Sequence, residues 1–141
     1  MALLTAAALP DDRKLTGMVL LNAAVSPQFD ISKAVSRVET AVWNYHSLFD
    51  WFFLQLGTTV FGTMDGRHGF AAGTLGFKGP SADELSQSGK LIQRPWHWKM
   101  LSQFHPGDHF GCMHRVFVAE EIVPVIQTRT ATSVVSDECE N

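Results

Sequence analysis

The chain has 141 residues, of which 45% are hydrophobic and 18% charged, against roughly 25% charged in an average soluble domain. That balance excludes disorder as the dominant state, which needs low hydrophobicity and high charge. A formal net charge of -3 excludes a nucleic-acid binder built on basic excess, and no apolar run approaches the ~20 residues of a membrane-spanning helix. The length is that of one domain. Residues 1–9 are apolar but lack a basic start and run into Pro10-Asp11-Asp12, a poor signal peptide. Cys112 and Cys139 are too few for a disulfide framework, so a cytoplasmic location is expected.

In chain order, residues 15–25 form a short, almost continuous apolar run before Pro27, which suits a strand buried on both faces. Asp30 is a candidate N-cap for an amphipathic helix over residues 31–40, where Ile31, Ala34, Val35 and Val38 alternate with charge. Residues 43–56 carry Trp43, Tyr45, Phe49, Trp51, Phe52 and Phe53. They are expected as a helix apolar on nearly every side, packed in the core or covering a pocket. Residues 58–61, Thr-Thr-Val-Phe, read as a second strand closed by Gly62. A glycine-rich loop region follows to Gly89, with one short helix near residues 83–85. Pro95 is expected to open a short helix through Trp98 and Leu101. Residues 105–111 must be a loop, and residues 113–127 a helix in which Pro124 demands a kink or an early stop. Residues 128–141 are a polar tail. Strands alternating with helices predict an α/β architecture, although two strands do not make a stable open sheet.

Two constellations could carry chemistry. His97, His105, His109 and His114 surround Cys112, but Pro106-Gly107 breaks the helix that would put His105 and His109 on one face. No metal site is expected there, and nothing calls for a cofactor. The second constellation joins Gly62-Thr63-Met64-Asp65-Gly66, just past the expected second strand, with Gly107-Asp108-His109-Phe110-Gly111. Ligands and catalytic groups gather at the carboxyl ends of parallel strands. An acid meeting a histidine there would fix the imidazole's tautomer and stabilise its charged form.

On these segments the sequence resembles the α/β-hydrolases. Residues 14–27 look like the strand after the nucleophile-bearing helix, and residues 113–126 like the closing helix after the histidine loop. The resemblance implies His109 as triad histidine and Asp65 as triad acid, with Asp50 and Asp108 as alternative acids. It also implies a lid-like helical region over about residues 31–56, with Trp43, Phe49, Phe52 and Phe53 against an ester or acyl substrate. The family's Gly-x-Ser-x-Gly elbow is absent: Met64 stands where its serine should be, and Ser26 precedes Pro27 without flanking glycines. Residues 1–127 therefore correspond to the C-terminal portion of such a domain, a partial parallel sheet flanked by helices. Ester hydrolysis is the implied chemistry, inactive in this chain alone, and an uncovered strand edge would invite self-association. The competing expectation is a small non-catalytic binding or oligomerisation module that uses residues 43–56.

Overall fold

The structure, a computed structural model, describes residues 1–50 and 59–127. Its centre is a three-stranded sheet, β1 (Met18–Leu21), β2 (Val42–His46) and β3 (Leu91–Pro95), in that spatial order and all parallel. The register aligns Met18, Val42 and Leu91 in one row and Leu20, Asn44 and Gln93 in the next. Because successive side chains point to opposite faces, these rows share one face. Val19, Trp43 and Ile92, then Leu21, Tyr45 and Arg94, occupy the other.

Both faces are covered, which is why the central strand carries so little charge. On the first face lie α1 (Ala2–Ala7), α2 (Ser32–Val35), α3 (Ala72–Leu75) and α4 (Pro80–Gln87), around a core that includes Leu3, Ile31, Val35, Val42, Phe77 and Leu91. On the second, Met100, Cys112, Phe117 and Ile122 pack against Trp43 and Tyr45. Met100 belongs to a tight 3-10 turn at Trp98–Gln103, and Phe117 and Ile122 to a C-terminal helix that begins at Arg115. The result is three layers, helix on sheet on helix.

Several expected elements move. Residues 43–46 are strand, not helix: a continuous apolar run is ambiguous, and here period two wins, with Trp43 and Tyr45 on one face and Val42 and Asn44 on the other. Residues 51–58, including Phe52 and Phe53, lie outside the described residues, as does the polar tail at 128–141. Of the strand expected at 58–61, the described residues form none: Thr59 and Val60 are helical, and Phe61 sits in a turn, 87% exposed. The third strand is β3, whose sequence Leu-Ile-Gln-Arg-Pro is apolar for only two residues. As a sheet edge it tolerates both Arg94 and a terminal proline, so Pro95 closes a strand instead of opening a helix.

The helix expected over 31–40 shortens to α2, where Asp30 Oδ1 accepts from Ser32 N at 3.0 Å. The chain beyond it is drawn into a parallel bridge between Val38 and Leu15 and enters β2. The short helix near 83–85 is present as α4, with Pro80 in its first turn, where a missing N–H costs nothing. In the C-terminal helix, Val118–Ile122 widens into a π-type turn just before Pro124. A proline removes one helical hydrogen bond and crowds the carbonyl four residues back, and the widened turn takes up that misfit. No helix among the described residues is long and apolar enough to cross a membrane.

Candidate functional site

Three parallel strands deliver three loops to one end of the sheet, and all three converge on His109. From β1 comes Asn22, held at φ +52°, a left-handed conformation that asparagine tolerates better than most residues. Its Nδ2 donates to the His109 carbonyl at 2.9 Å and lies 3.1 Å from Cys112 Sγ. From β2 comes Asp50, placed by a turn in which Asp50 N donates to Ser47 O at 3.2 Å, while Ser47 N is anchored on Gly73 O at 2.9 Å. After β3, residues 105–111 carry the histidine. Gly107 N donates to His105 Nδ1 at 3.3 Å, Gly111 N to Asp108 Oδ1 at 2.6 Å, and Trp96 Nε1 to His105 O at 2.9 Å. His105 is buried and meets Phe117 edge-on, with ring centroids 4.7 Å apart.

His109 Nδ1 and Asp50 Oδ2 are 2.8 Å apart. The Asp50 side chain is fully buried, whereas 34% of the His109 side chain is exposed. A carboxylate oxygen only accepts, so in this contact Nδ1 is the donor and carries the proton. That is the arrangement of a general base with its orienting acid.

The acid beside His109 is thus Asp50, not Asp65. Asp65 serves the loop after β1: Ser26 N donates to its Oδ1 at 2.8 Å and Ser26 Oγ to its Oδ2 at 2.5 Å. Met64 N bonds to Ala24 O at 2.8 Å and fastens the same two segments together. Asp108 is occupied within its own loop by Gly111 N. Ser26 is buried, with its hydroxyl turned to a carboxylate and not to an imidazole, so it lacks the base and exposure a nucleophile needs.

Burial would raise the Asp65 carboxyl, but the hydrogen bonds from Ser26 and Thr63 outweigh it and hold the group below its ordinary value. A depressed native pKa gives stability that is present above the unfolded-state value, about 3.9, and lost as pH falls through the native one. Acid unfolding of the wild type should therefore contain a component below about pH 4 that Asp65→Asn lacks. Urea midpoints measured at pH 3 and pH 6 for both proteins check this: the pH-dependent drop should be smaller in the variant.

Cys112 is no nucleophile either. Burial pushes its thiol up to about 11, against an opposing contact from Asn22, and as a neutral thiol it donates to His109 O at 3.3 Å. His114 serves as a helix cap, its Nδ1 accepting from Val116 N at 3.4 Å. Among the described residues, no group of three or more His, Cys, Asp or Glu side chains could hold a metal ion.

Of the four aromatic residues expected against substrate, Trp43 is buried in β2. It borders a cavity of about 270 Å³ with Thr16, Gly17 and Val125, at the end of the sheet where the strands begin. That is the wrong end for His109. Phe49 adjoins Asp50, is 58% exposed and packs edge-on against Trp96 with centroids 4.9 Å apart. Asn22, which binds the histidine loop through His109 O, is the site residue that reasoning from sequence misses, although an asparagine directly after a strand is a recognisable left-handed position.

No protein family, no curated protein and no solved structure matches this chain. What stands on geometry is a mixed α/β protein with a parallel three-stranded sheet.

Proposed function

We propose that this chain carries the acid–histidine part of a hydrolytic site resembling that of the serine-type α/β-hydrolases, acting on a small ester or acyl substrate, without a nucleophile of its own. The supporting observation is the 2.8 Å contact between His109 Nδ1 and a fully buried Asp50, each from the loop after a parallel strand. His109 is the base and Asp50 orients it. Asn22 fixes the backbone of the histidine loop and is a positioning residue. In this reading β1 ends the sheet because a neighbouring strand is supplied from elsewhere, and its open edge favours self-association. Cytoplasmic location belongs to the same proposal.

Of the aromatic residues that the competing module reading would use in 43–56, Trp43 and Tyr45 are core residues, Tyr45 edge-on to Phe117, and Phe49 is exposed.

Hydrolysis of p-nitrophenyl acetate tests the proposal. The purified chain should show slow, burst-free turnover of the order given by free imidazole. His109→Gln should remove more of it than loss of any other histidine, and Ser26→Ala should change nothing. A burst with an acylated serine would overturn the missing nucleophile, and a rate indifferent to His109→Gln and Asp50→Asn would overturn the base.

A further inference from the structure

A second concavity lies on the first face of the sheet, at the carboxyl ends of β2 and β3. It measures about 360 Å³ and is bordered by His46, Phe49, Thr74, Leu75, Lys78 and Trp96. That volume lies at the small end of ordinary ligand sites, which are mostly apolar with a few placed polar groups. The walls fit this description. Phe49 and Trp96 meet edge-on at 4.9 Å on one side, and Leu75 lines the pocket with them.

The polar side is built by a rigid loop. Gly76 adopts φ +74°, and a Cβ there would stand 2.5 Å from Gln93 Oε1 and 3.2 Å from His46 Nε2, so only glycine lets the loop come this close. Gln93 then clamps Phe77 through both backbone groups, Phe77 N donating to Oε1 at 2.7 Å and Gln93 Nε2 donating to Phe77 O at 2.9 Å. Lys78 N donates to Pro27 O at 2.8 Å. The next side chain out, Lys78, is thereby set at the mouth of the pocket.

Among the described residues, two polar groups bordering this pocket lack a partner. Among the described residues no carboxylate pairs with Lys78, and no acidic residue lines the pocket. The Thr74 hydroxyl is buried without a hydrogen-bond partner there, an exception that calls for an explanation in a native structure. Burial holds the His46 imidazole below its ordinary value, a backbone contact to Asn44 opposes this, and the charge of Lys78 reinforces it. The field inside the pocket therefore favours negative charge.

We propose that this pocket binds a small organic carboxylate with a one-ring aromatic body, its carboxylate at Lys78 and its ring between Phe49, Trp96 and Leu75. A single ring matches the volume and the aromatic walls. The carboxylate supplies the counter-charge that the fold leaves out, and an ammonium meeting a carboxylate is a charge-assisted hydrogen bond of about twice the neutral strength. The pocket does not depend on the Asp50–His109 pair, which contributes no lining residue.

The test is an NMR titration of the full chain with 3-phenylpropionate, read at the Trp96 indole N–H and the His46 imidazole, with 3-phenylpropanol as neutral isostere. Saturable shifts at both residues are expected, with the alcohol binding about tenfold more weakly. Lys78→Met keeps the apolar stem of an exposed side chain, so the fold survives, and should weaken the acid about tenfold while leaving the alcohol unchanged. Absence of saturable shifts at Trp96 and His46 would overturn the proposal. So would equal affinity for acid and alcohol, or an acid affinity indifferent to Lys78→Met.

Discussion

Phe117→Ala should cost about 3–5 kcal/mol of folding stability, the range for removing a fully buried aromatic side chain. Phe117 is 0% exposed and, with Met100, Cys112 and Ile122, packs the second helical layer against the sheet. Its ring lies edge-on to Tyr45 of β2 at 5.7 Å and to His105 of the histidine loop at 4.7 Å. The loss combines the transfer of a large apolar side chain, the cavity left behind and two aromatic contacts. Domains of this size have only about 5–15 kcal/mol in total. The variant should therefore unfold at a much lower urea concentration, with weak near-ultraviolet circular dichroism and binding of a hydrophobic dye at neutral pH. A change below about 1 kcal/mol, the size of an ordinary surface substitution effect, would show that the C-terminal helix does not pack as described.

Gly111→Ala should be a damaging single-methyl change, with a cost of about 1–3 kcal/mol from overpacking. A Cβ at Gly111 would overlap His105 Nδ1 and approach His105 Cα and Pro106 Cδ at 2.9 Å. Two of these neighbours are fixed by backbone or ring, so the loop itself must move. His109 lies two residues before Gly111 in that loop, and Asp108 binds Gly111 N, so the displacement should reach the Asp50 contact and shift the His109 ring resonances. Gly66→Ala is the comparison: nothing lies within 4 Å and only its φ of +77° opposes a side chain, so it should cost the backbone share alone, about 1–2 kcal/mol. It should leave His109 untouched.

The histidine loop is legible in the sequence because glycines and a proline isolate His109 from any regular element, and β1 because its apolar run is short and bounded. The central strand is not. A strand buried on both faces loses the alternation that marks one face as polar, and Val42–His46 runs directly into Leu48 and Phe49, so the whole stretch resembles a buried helix. That one misplacement determines the acid. A carboxylate just past a parallel strand is the right rule: with the strand put at 58–61 it selects Asp65, and with the strand at Val42–His46 it selects Asp50. β3 escapes for the opposite reason. An edge strand takes its pairing from β2 and needs few apolar residues of its own, so its local signal is weak.

The pairing of Asp50 with His109 is measured directly by nitrogen-detected NMR of the histidine rings. In the native chain at neutral pH, His109 should show the Nδ1-protonated tautomer with a strongly deshielded N–H resonance. Asp50→Asn should abolish that resonance and move the proton to Nε2 while the signals of Trp43 and Phe117 stay in place. A His109 ring protonated at Nε2 in the wild type, or one unchanged by Asp50→Asn, would contradict the account.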